Sequence, residues 1–600
     1  MKNISFNNVD ITSGYLFGKQ ELNRKTTINA VYDRFFETGR IGAFDFGYDG
    51  SEDKIKPHVY WDSDVAKWME GVAYIARKNA SPELMAKVED LIKKIKEHQC
   101  EDGYFNIYFT LCEPEARFSD RHKHELYCAG HLMEAAVAYA ETTEKYDFLD
   151  CMEKYADLIY KVFVEEKSAA FATPGHEEIE LALIRMYDLT GKKKFLDLAK
   201  YFIDTRGTVE EPLMIDGIQS HKPLREQVEA TGHCVRAVYL YTAMAMLAER
   251  TDDKELFSVC RKLFDDIVYK KMFVTGGIGS ECKGERFTVP FDLINDQAYT
   301  ETCAAIGLIY FASAMLTLEN DAKYADVIER TLYNGFLSGL SLSGDAFFYE
   351  NPLEITLREH FESTSGKRRF PITQRPNIFN CSCCPPNINR ILPSLGNYIY
   401  GIEDNTLYIN QFTASTLITD GVTCTQTTNY PNDGAVTITA NGCGKVAIRV
   451  PEWCENFKIN KTYVIDRGYA IVENDGTDIS VEFDMTPKAV FADCRVKSDV
   501  NRLCVMRGPL VYCAESVDNV DDLHSLILPT KIEATESFDE SFGLIKLEIP
   551  CRRRLPFEEG RLYSSLPPKT EPFTAKLIPY NCFANRGECD MLVWFCGDYT

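Results

Sequence analysis

The chain has 600 residues, 45% hydrophobic and 26% charged, with a formal net charge of -24. That length exceeds what one hydrophobic core organises, so at least two domains are expected, and the balance is globular rather than disordered. A strongly acidic surface repels phosphate backbones and anionic lipid, which argues against nucleic acid and membrane surfaces as partners.

The opening stretch MKNISFNNVDITSGY lacks the apolar core of a signal peptide. The strongest apolar run, Cys303–Leu318, is shorter than the ~20 residues that cross a bilayer and reads as a buried helix. Cysteines number 21, an odd count, and without an export signal they are expected to stay reduced in a cytoplasmic protein. Metal ligation or catalysis then gains weight over disulfides. Most of these cysteines are still expected to be small core residues, and Cys151, Cys260 and Cys303 all sit in helical patterns.

From about residue 20 to 400, apolar residues recur at helical spacing and the helices come in pairs joined by short polar turns. In chain order the pairs are SDVAKWMEGVAYIARK with SPELMAKVEDLIKKIKEH, HLMEAAVAYAETT with EKYDFLDCMEKYADLIYKVF, and HEEIELALIRMYDLTG with KKKFLDLAKYFIDTRG. HCVRAVYLYTAMAMLAERT with DKELFSVCRKLFDDIVYKK follows, then ETCAAIGLIYFASAMLTLE with AKYADVIERTLYNGFL. A sixth first member is expected at NINRILPSLGNYIYGI, partnered by the early segment LNRKTTINAVYDRFF. The first member of each pair is the more apolar and carries small residues; the second is amphipathic. Inner helices ringed by outer ones predict an (α/α)6 barrel over residues 16–403.

After about residue 404 short alternating segments appear, such as AVTITA, KVAIRV and DISVEF, broken by NDG and NGCG turns. They predict C-terminal antiparallel β-sandwich domains at 404–515 and 516–600, joined by an N-terminal strand from residues 1–15. Val446, Ile448 and Val450 are placed on one face of a strand, with polar neighbours on the other.

The densest chemical signal is NCSCCPPNINR, residues 380–390. Cys381, Cys383 and Cys384 directly precede Pro385 and Pro386, which fix an extended turn before a helix, and thiolates there would meet the positive end of its dipole. Glu301 and Cys303 open an inner helix. With Cys383 and Cys384 they make a set of three sulfurs and one oxygen suited to zinc. On its own, Glu301 reads more plainly as a helix-start acid, and the cysteines as core. The loop TGGIGSECKGERF, residues 275–287, carries Glu285 on glycine turns, where a carboxylic acid could protonate a leaving group or simply be solvated. His124, His131, His176 and His233 recur at or near inner-helix starts. If those starts share one mouth, the imidazoles converge there and suit hydrogen bonding to sugar hydroxyls. Trp68, Tyr104 and Tyr349 are the aromatic candidates for lining a carbohydrate pocket.

HELYCAGHLMEAAV, HEEIELAL, GGIGS…GERF, ETCAAIG, FFYENPLE, CSCCPPN and ANRGECDMLVW, in that order over nearly the whole chain, resemble glycoside hydrolase family 127, the β-L-arabinofuranosidase family. CSCCPPN together with ETC is the specific part. The resemblance implies an (α/α)6 barrel followed by β-sandwich domains. It implies zinc held by Glu301, Cys303, Cys383 and Cys384, with Cys383 as nucleophile and Glu285 as general acid/base. It also implies sugar binding by His124, His176, His233 and Tyr349. His131 competes with His124 for its place, and Glu281 with Glu285. The activity implied is a retaining, zinc-dependent exo-glycosidase releasing L-arabinose from β-L-arabinofuranosides, with a small oligosaccharide or glycoside as substrate. The oligomeric state is open, a homodimer included. Alternatives are the same scaffold acting on another plant-polysaccharide sugar, a sugar epimerase on a helical barrel, and a non-catalytic carbohydrate-binding protein with a structural zinc.

Overall fold

The computed structural model describes residues 1–209, 215–364, 371–558 and 560–599. The helices Trp61–Lys78, Glu125–Thr143, Ile179–Thr190, Cys234–Thr251, Thr302–Leu318 and Cys384–Ile391 pack side by side in that order, and the last returns to the first. Outside them, in the same order, pack Pro82–His98, Asp147–Tyr160, Lys193–Thr205, Lys254–Lys270, Ala322–Arg330 and the early helix Ile28–Glu37. The difference in composition explains the two layers. Trp61–Ile75 is buried on every side. The outer helix Pro82–His98 buries only the stripe Leu84, Val88, Leu91, Ile92 and Ile95, one turn apart.

The sixth inner helix departs from its expected bounds. It begins at Cys384 and ends at Ile391, and Tyr400–Glu403 is a strand. Pro385 and Pro386 sit in its first turn, where a missing N–H has no helical partner to lose, and Pro393 prevents its continuation.

Five of the six inner helices meet at one buried cation, and the sixth joins them through a second arginine. The Arg390 guanidinium lies 2.9 Å from Glu70 and 2.6 Å from Glu134, donates to Tyr239 at 3.1 Å, and stands 5.5 Å from the Tyr310 ring centre. Arg185 completes the set, 3.0 Å from Glu70 and 2.6 Å from Glu134. Two arginines thus balance two carboxylates in the middle of the ring.

The chain's start pairs with its β region: Lys2 lies opposite Ile402 in one six-stranded sheet and Val9 opposite Leu417 in another. A larger sheet runs from Lys488–Val490 to Phe595–Asp598 and takes in Glu354–Ile355 from the helical part. Strands on either side of residue 515 belong to this one sheet. Among the described residues pairing is antiparallel except between Thr406–Ile409 and Lys445–Arg449, and between Leu526–Pro529 and Phe595–Asp598. In Ile479–Phe483 burial alternates as expected. In Lys445–Arg449 it does not: Ala447 and Arg449, assigned to a polar face, are fully buried. Arg449 is accommodated because it meets Asp326 and Glu329 of the outer helix Ala322–Arg330, each at 2.5 Å. Trp453 and Tyr430 also donate to Glu329, at 2.9 and 2.5 Å, which fastens the β region to the helices. All 21 cysteines are free. No helix among the described residues is long and apolar enough to cross a membrane.

The Arg390 junction gives a stability test. Arg390→Met leaves Arg185 alone against two buried carboxylates, and breaking a buried pair this way costs about 3–5 kcal/mol. The urea midpoint of helix loss, followed by circular dichroism, should fall accordingly; an unchanged midpoint would contradict the junction's role.

Candidate active site

Every inner helix starts at the same end of the ring, and residues at or just before those starts line one cavity of about 390 Å³. Ser63 and Asp64, His124 and Tyr127, His176, His233 and Arg236, Glu301 and Cys303, and Cys381 and Cys383 all face it. The helix dipoles therefore present their positive ends to one space, which favours negative charge there. Tyr60, Cys282, Glu285 and Tyr349 reach the same cavity from loops.

Two of these starts lie against each other. Cys303 Sγ is 3.3 Å from Cys384 Sγ, and Cys383 Sγ is 3.7 Å from Cys384 Sγ. Glu301 Oε1 lies 3.6 Å from Cys383 Sγ and 3.7 Å from Cys384 Sγ. All four donors fall within 4.8 Å of one another. Sulfur and oxygen ligands of one tetrahedral ion with metal–sulfur bonds of about 2.3 Å stand about 3.5–3.8 Å apart, so the spacing fits a shared cation. Glu301 Oε2 is buried without a hydrogen-bond partner, an orphan that a cation would satisfy. Burial and the neighbouring Cys383 push the Glu301 carboxyl well up, and burial and Cys303 do the same to the Cys384 thiol. Burial also opposes ionisation of Cys303, but hydrogen bonds from Cys383 and Cys384 overcome it and bring that thiol down to about 6. At this spacing the groups resist sharing negative charge, which a cation reverses. Cys381 faces the cavity outside this cluster, and its hydrogen bond with Cys383 holds it as a thiol.

The vicinal cysteines differ in exposure. Cys383 faces the cavity, whereas Cys384, one residue inside the helix, is fully buried. Ahead of the cysteines the chain is held from outside the ring at Arg375. Arg375 donates to Phe583 O at 2.7 Å and to Ser338 O at 2.8 Å, and its guanidinium lies 4.3 Å from the Phe348 ring. Phe348 stacks on Phe583 at 5.2 Å, so the turn that follows the strand Thr570–Pro579 braces the loop that carries Tyr349.

Glu285 is held tightly rather than on a mobile loop. Its carbonyl accepts from Cys234 N at 2.9 Å, and its carboxylate Oε2 lies 2.6 Å from His233 Nε2. His233 caps its helix by accepting the Arg236 N–H on Nδ1, which leaves the proton on Nε2 to be donated to Glu285. Burial raises the Glu285 carboxyl, but the hydrogen bonds from His233 and Tyr299 outweigh it and hold the pKa below its usual value. The glycines before it are needed for close approach: a Cβ on Gly276, whose φ is +78°, would lie 2.7 Å from Thr331 Cα. Glu281, the competing acid, is exposed and bonds to the Lys283 backbone within its own turn.

His124, His176 and His233 form a row, with ring centres 5.7 and 5.6 Å apart. Burial keeps all three neutral, His124 down to about 3. A neutral imidazole offers one donor and one acceptor, which suits hydroxyl groups. His131 lies behind the row, fully buried, with Nδ1 3.0 Å from Glu178. Of the aromatic candidates, Tyr349 lines the cavity. Trp68 donates to Ile28 O and Tyr104 to Glu125, both within the core. Sequence reasoning missed Tyr60, Asp64, Tyr127 and Arg236. A signal existed: the rule that singled out histidines at inner-helix starts applies equally to the start YWDSD.

The chain matches the description Beta-L-arabinofuranosidase, GH127 catalytic domain, over residues 8–397. It matches the GH127 middle domain over 406–485 and the glycoside hydrolase family 127 C-terminal domain over 487–596. It is 35% identical over 594 residues, 90% of each chain, to a non-reducing end β-L-arabinofuranosidase of Bifidobacterium longum subsp. longum. A crystal structure of a family 127 β-L-arabinofuranosidase from Geobacillus stearothermophilus T6 superposes with a TM-score of 0.93 at 38% identity, covering 98% of this chain and 100% of that one. A second family 127 β-arabinofuranosidase structure gives 0.90 at 32% identity, covering 100% and 98%. The chain belongs to glycoside hydrolase family 127 and is a glycoside hydrolase.

Proposed function

We propose that the chain is a retaining, exo-acting β-L-arabinofuranosidase that uses zinc and a cysteine nucleophile. The substrate class rests on what its relatives are called. The chemistry rests on one observation above the others: Cys383 faces a cavity that also holds Glu285, while its neighbour Cys384 is turned into the core. The helical part is read as an (α/α)6 barrel, supported by the cyclic order of its inner helices. The β region is read as two sandwich modules divided near residue 486, where the sheets change and the two matched domains meet. Family membership leaves no place for the epimerase alternative.

Glu301, Cys303, Cys383 and Cys384 would hold the zinc, consistent with three sulfurs and one oxygen at these separations. When bound, zinc keeps Cys383 ionised at neutral pH. Cys383 faces the cavity and is free to attack the anomeric carbon, forming a carbon–sulfur bond as the glycosidic carbon–oxygen bond breaks. Glu285 gives its proton to the departing oxygen, then takes one from the water that displaces Cys383. His124, His176, His233 and Tyr349 hold the sugar hydroxyls. The exo mode rests on the name of the relative, a non-reducing end β-L-arabinofuranosidase.

Cys383→Ala should lower hydrolysis of p-nitrophenyl β-L-arabinofuranoside by at least about 10³-fold. Proton NMR of the wild-type reaction should show the β-anomer of arabinose released first. Wild-type rate in the variant, or the α-anomer first, would refute the nucleophile. Faster turnover of another glycoside in a substrate panel would keep the mechanism and move the sugar.

The acid role predicts a pH profile. Only protonated Glu285 donates, and its pKa lies below the usual value, so kcat/KM should fall by about tenfold per unit as pH rises above it. Glu285→Gln should lose about 10²–10⁴-fold and with it this dependence. A rate that climbs with pH across the neutral range would rule Glu285 out.

A further inference from the structure

Lys67 lies on the first inner helix and is fully buried. A buried ammonium is costly unless negative charge stands near it. Among the described residues no carboxylate oxygen lies within ion-pair reach of its Nζ. The ammonium donates to Tyr127 OH at 3.0 Å and to Cys383 O at 3.5 Å. The acids around it are already engaged. Asp64 pairs with Arg40 at 2.9 Å, Glu70 and Glu134 pair with Arg185 and Arg390, and Glu178 faces His131. What remains is the cysteine cluster, whose three thiolates and carboxylate outnumber the charge of a divalent cation by two.

We propose that Lys67 is the charge partner of the cysteine centre: a buried ammonium that holds the Cys383 turn and offsets the excess negative charge of the occupied site. The assignment rests on the reading of Glu301, Cys303, Cys383 and Cys384 as metal ligands. Lys67 is a positioning residue, since it reaches the cluster through the Cys383 backbone. Its other partner extends the effect to the sugar side, because the Tyr127 ring lies 4.1 Å from His176. One lysine therefore sets both the turn that carries Cys383 and the aromatic ring beneath the histidine row.

The test is zinc affinity, measured by competition with a chromophoric chelator, for the wild type, Lys67→Met and Lys67→Arg. Lys67→Met keeps the length and removes the charge, and it should weaken zinc at least about tenfold, as loss of an outer partner of a metal site does. Lys67→Arg keeps the charge and should restore most of that loss. Metal-free Lys67→Met should melt no lower than the wild type, because the negative charge that Lys67 offsets belongs to the occupied site and the ammonium alone is costly to bury. Wild-type zinc affinity in Lys67→Met would overturn the assignment. So would a folded Lys67→Arg as weak as Lys67→Met, or a metal-free Lys67→Met that melts far lower, since each makes Lys67 a packing residue. Should Lys67→Arg not fold, the Lys67→Met affinity decides alone. A wild type that takes up no zinc would fault the ligand reading itself, a separate result.

Discussion

Three sulfurs and a carboxylate oxygen within 4.8 Å of one another form the constraint around which the molecule is arranged. Such a set cannot ionise together without a cation, and neither chain segment that supplies it could make it alone. Cys303 and Cys384 are 81 residues apart in sequence and 3.3 Å apart in space. Ring closure produces that approach. The fifth inner helix packs on the sixth, both start at the same end, and the four donors sit at or beside those two starts. The tandem prolines in the first turn of the last helix let Cys383 and Cys384 diverge, one toward the cavity and one toward the core.

Much of the remaining structure serves to keep those starts in place. Below the cavity, Arg390 and Arg185 together tie all six inner helices into one charge-balanced junction. Beside it, Arg375 and the Phe348–Phe583 stack let the turn after the strand Thr570–Pro579 brace the loop carrying Tyr349. Further out, Arg449 locks the β region onto an outer helix through Glu329 and Asp326. Two site residues, His124 and Glu285, hold left-handed backbone conformations, with φ of 58° and 52°.

The helical pairs were legible because inner and outer helices differ in composition: small and apolar through Cys303–Leu318, amphipathic through Pro82–His98. Cys383 and Cys384 stood out because three cysteines in four positions are rare, and the mouth histidines because they share one place in three of the repeats; Glu301 alone read as a helix-start acid. Other features depend on tertiary partners that no local pattern carries. The strand Lys445–Arg449 reads as half-polar until Glu329 and Asp326 are seen to receive Arg449. Trp68 and Tyr104 look like carbohydrate platforms, yet each spends its polar atom inside the core. Lys67 sits in an ordinary helical sequence, and only the cysteine turn arriving from residue 383 gives it a role. The sixth inner helix was placed too late because Pro385 and Pro386 read as a turn, although the first turn of a helix accepts them.

X-ray absorption at the zinc edge of the purified enzyme tests the centre most directly. A shell of three sulfurs at about 2.3 Å with one oxygen at about 2.0–2.2 Å is the result the proposed ligand set predicts. A shell of nitrogen and oxygen without sulfur, or an active enzyme with no zinc edge, would contradict it.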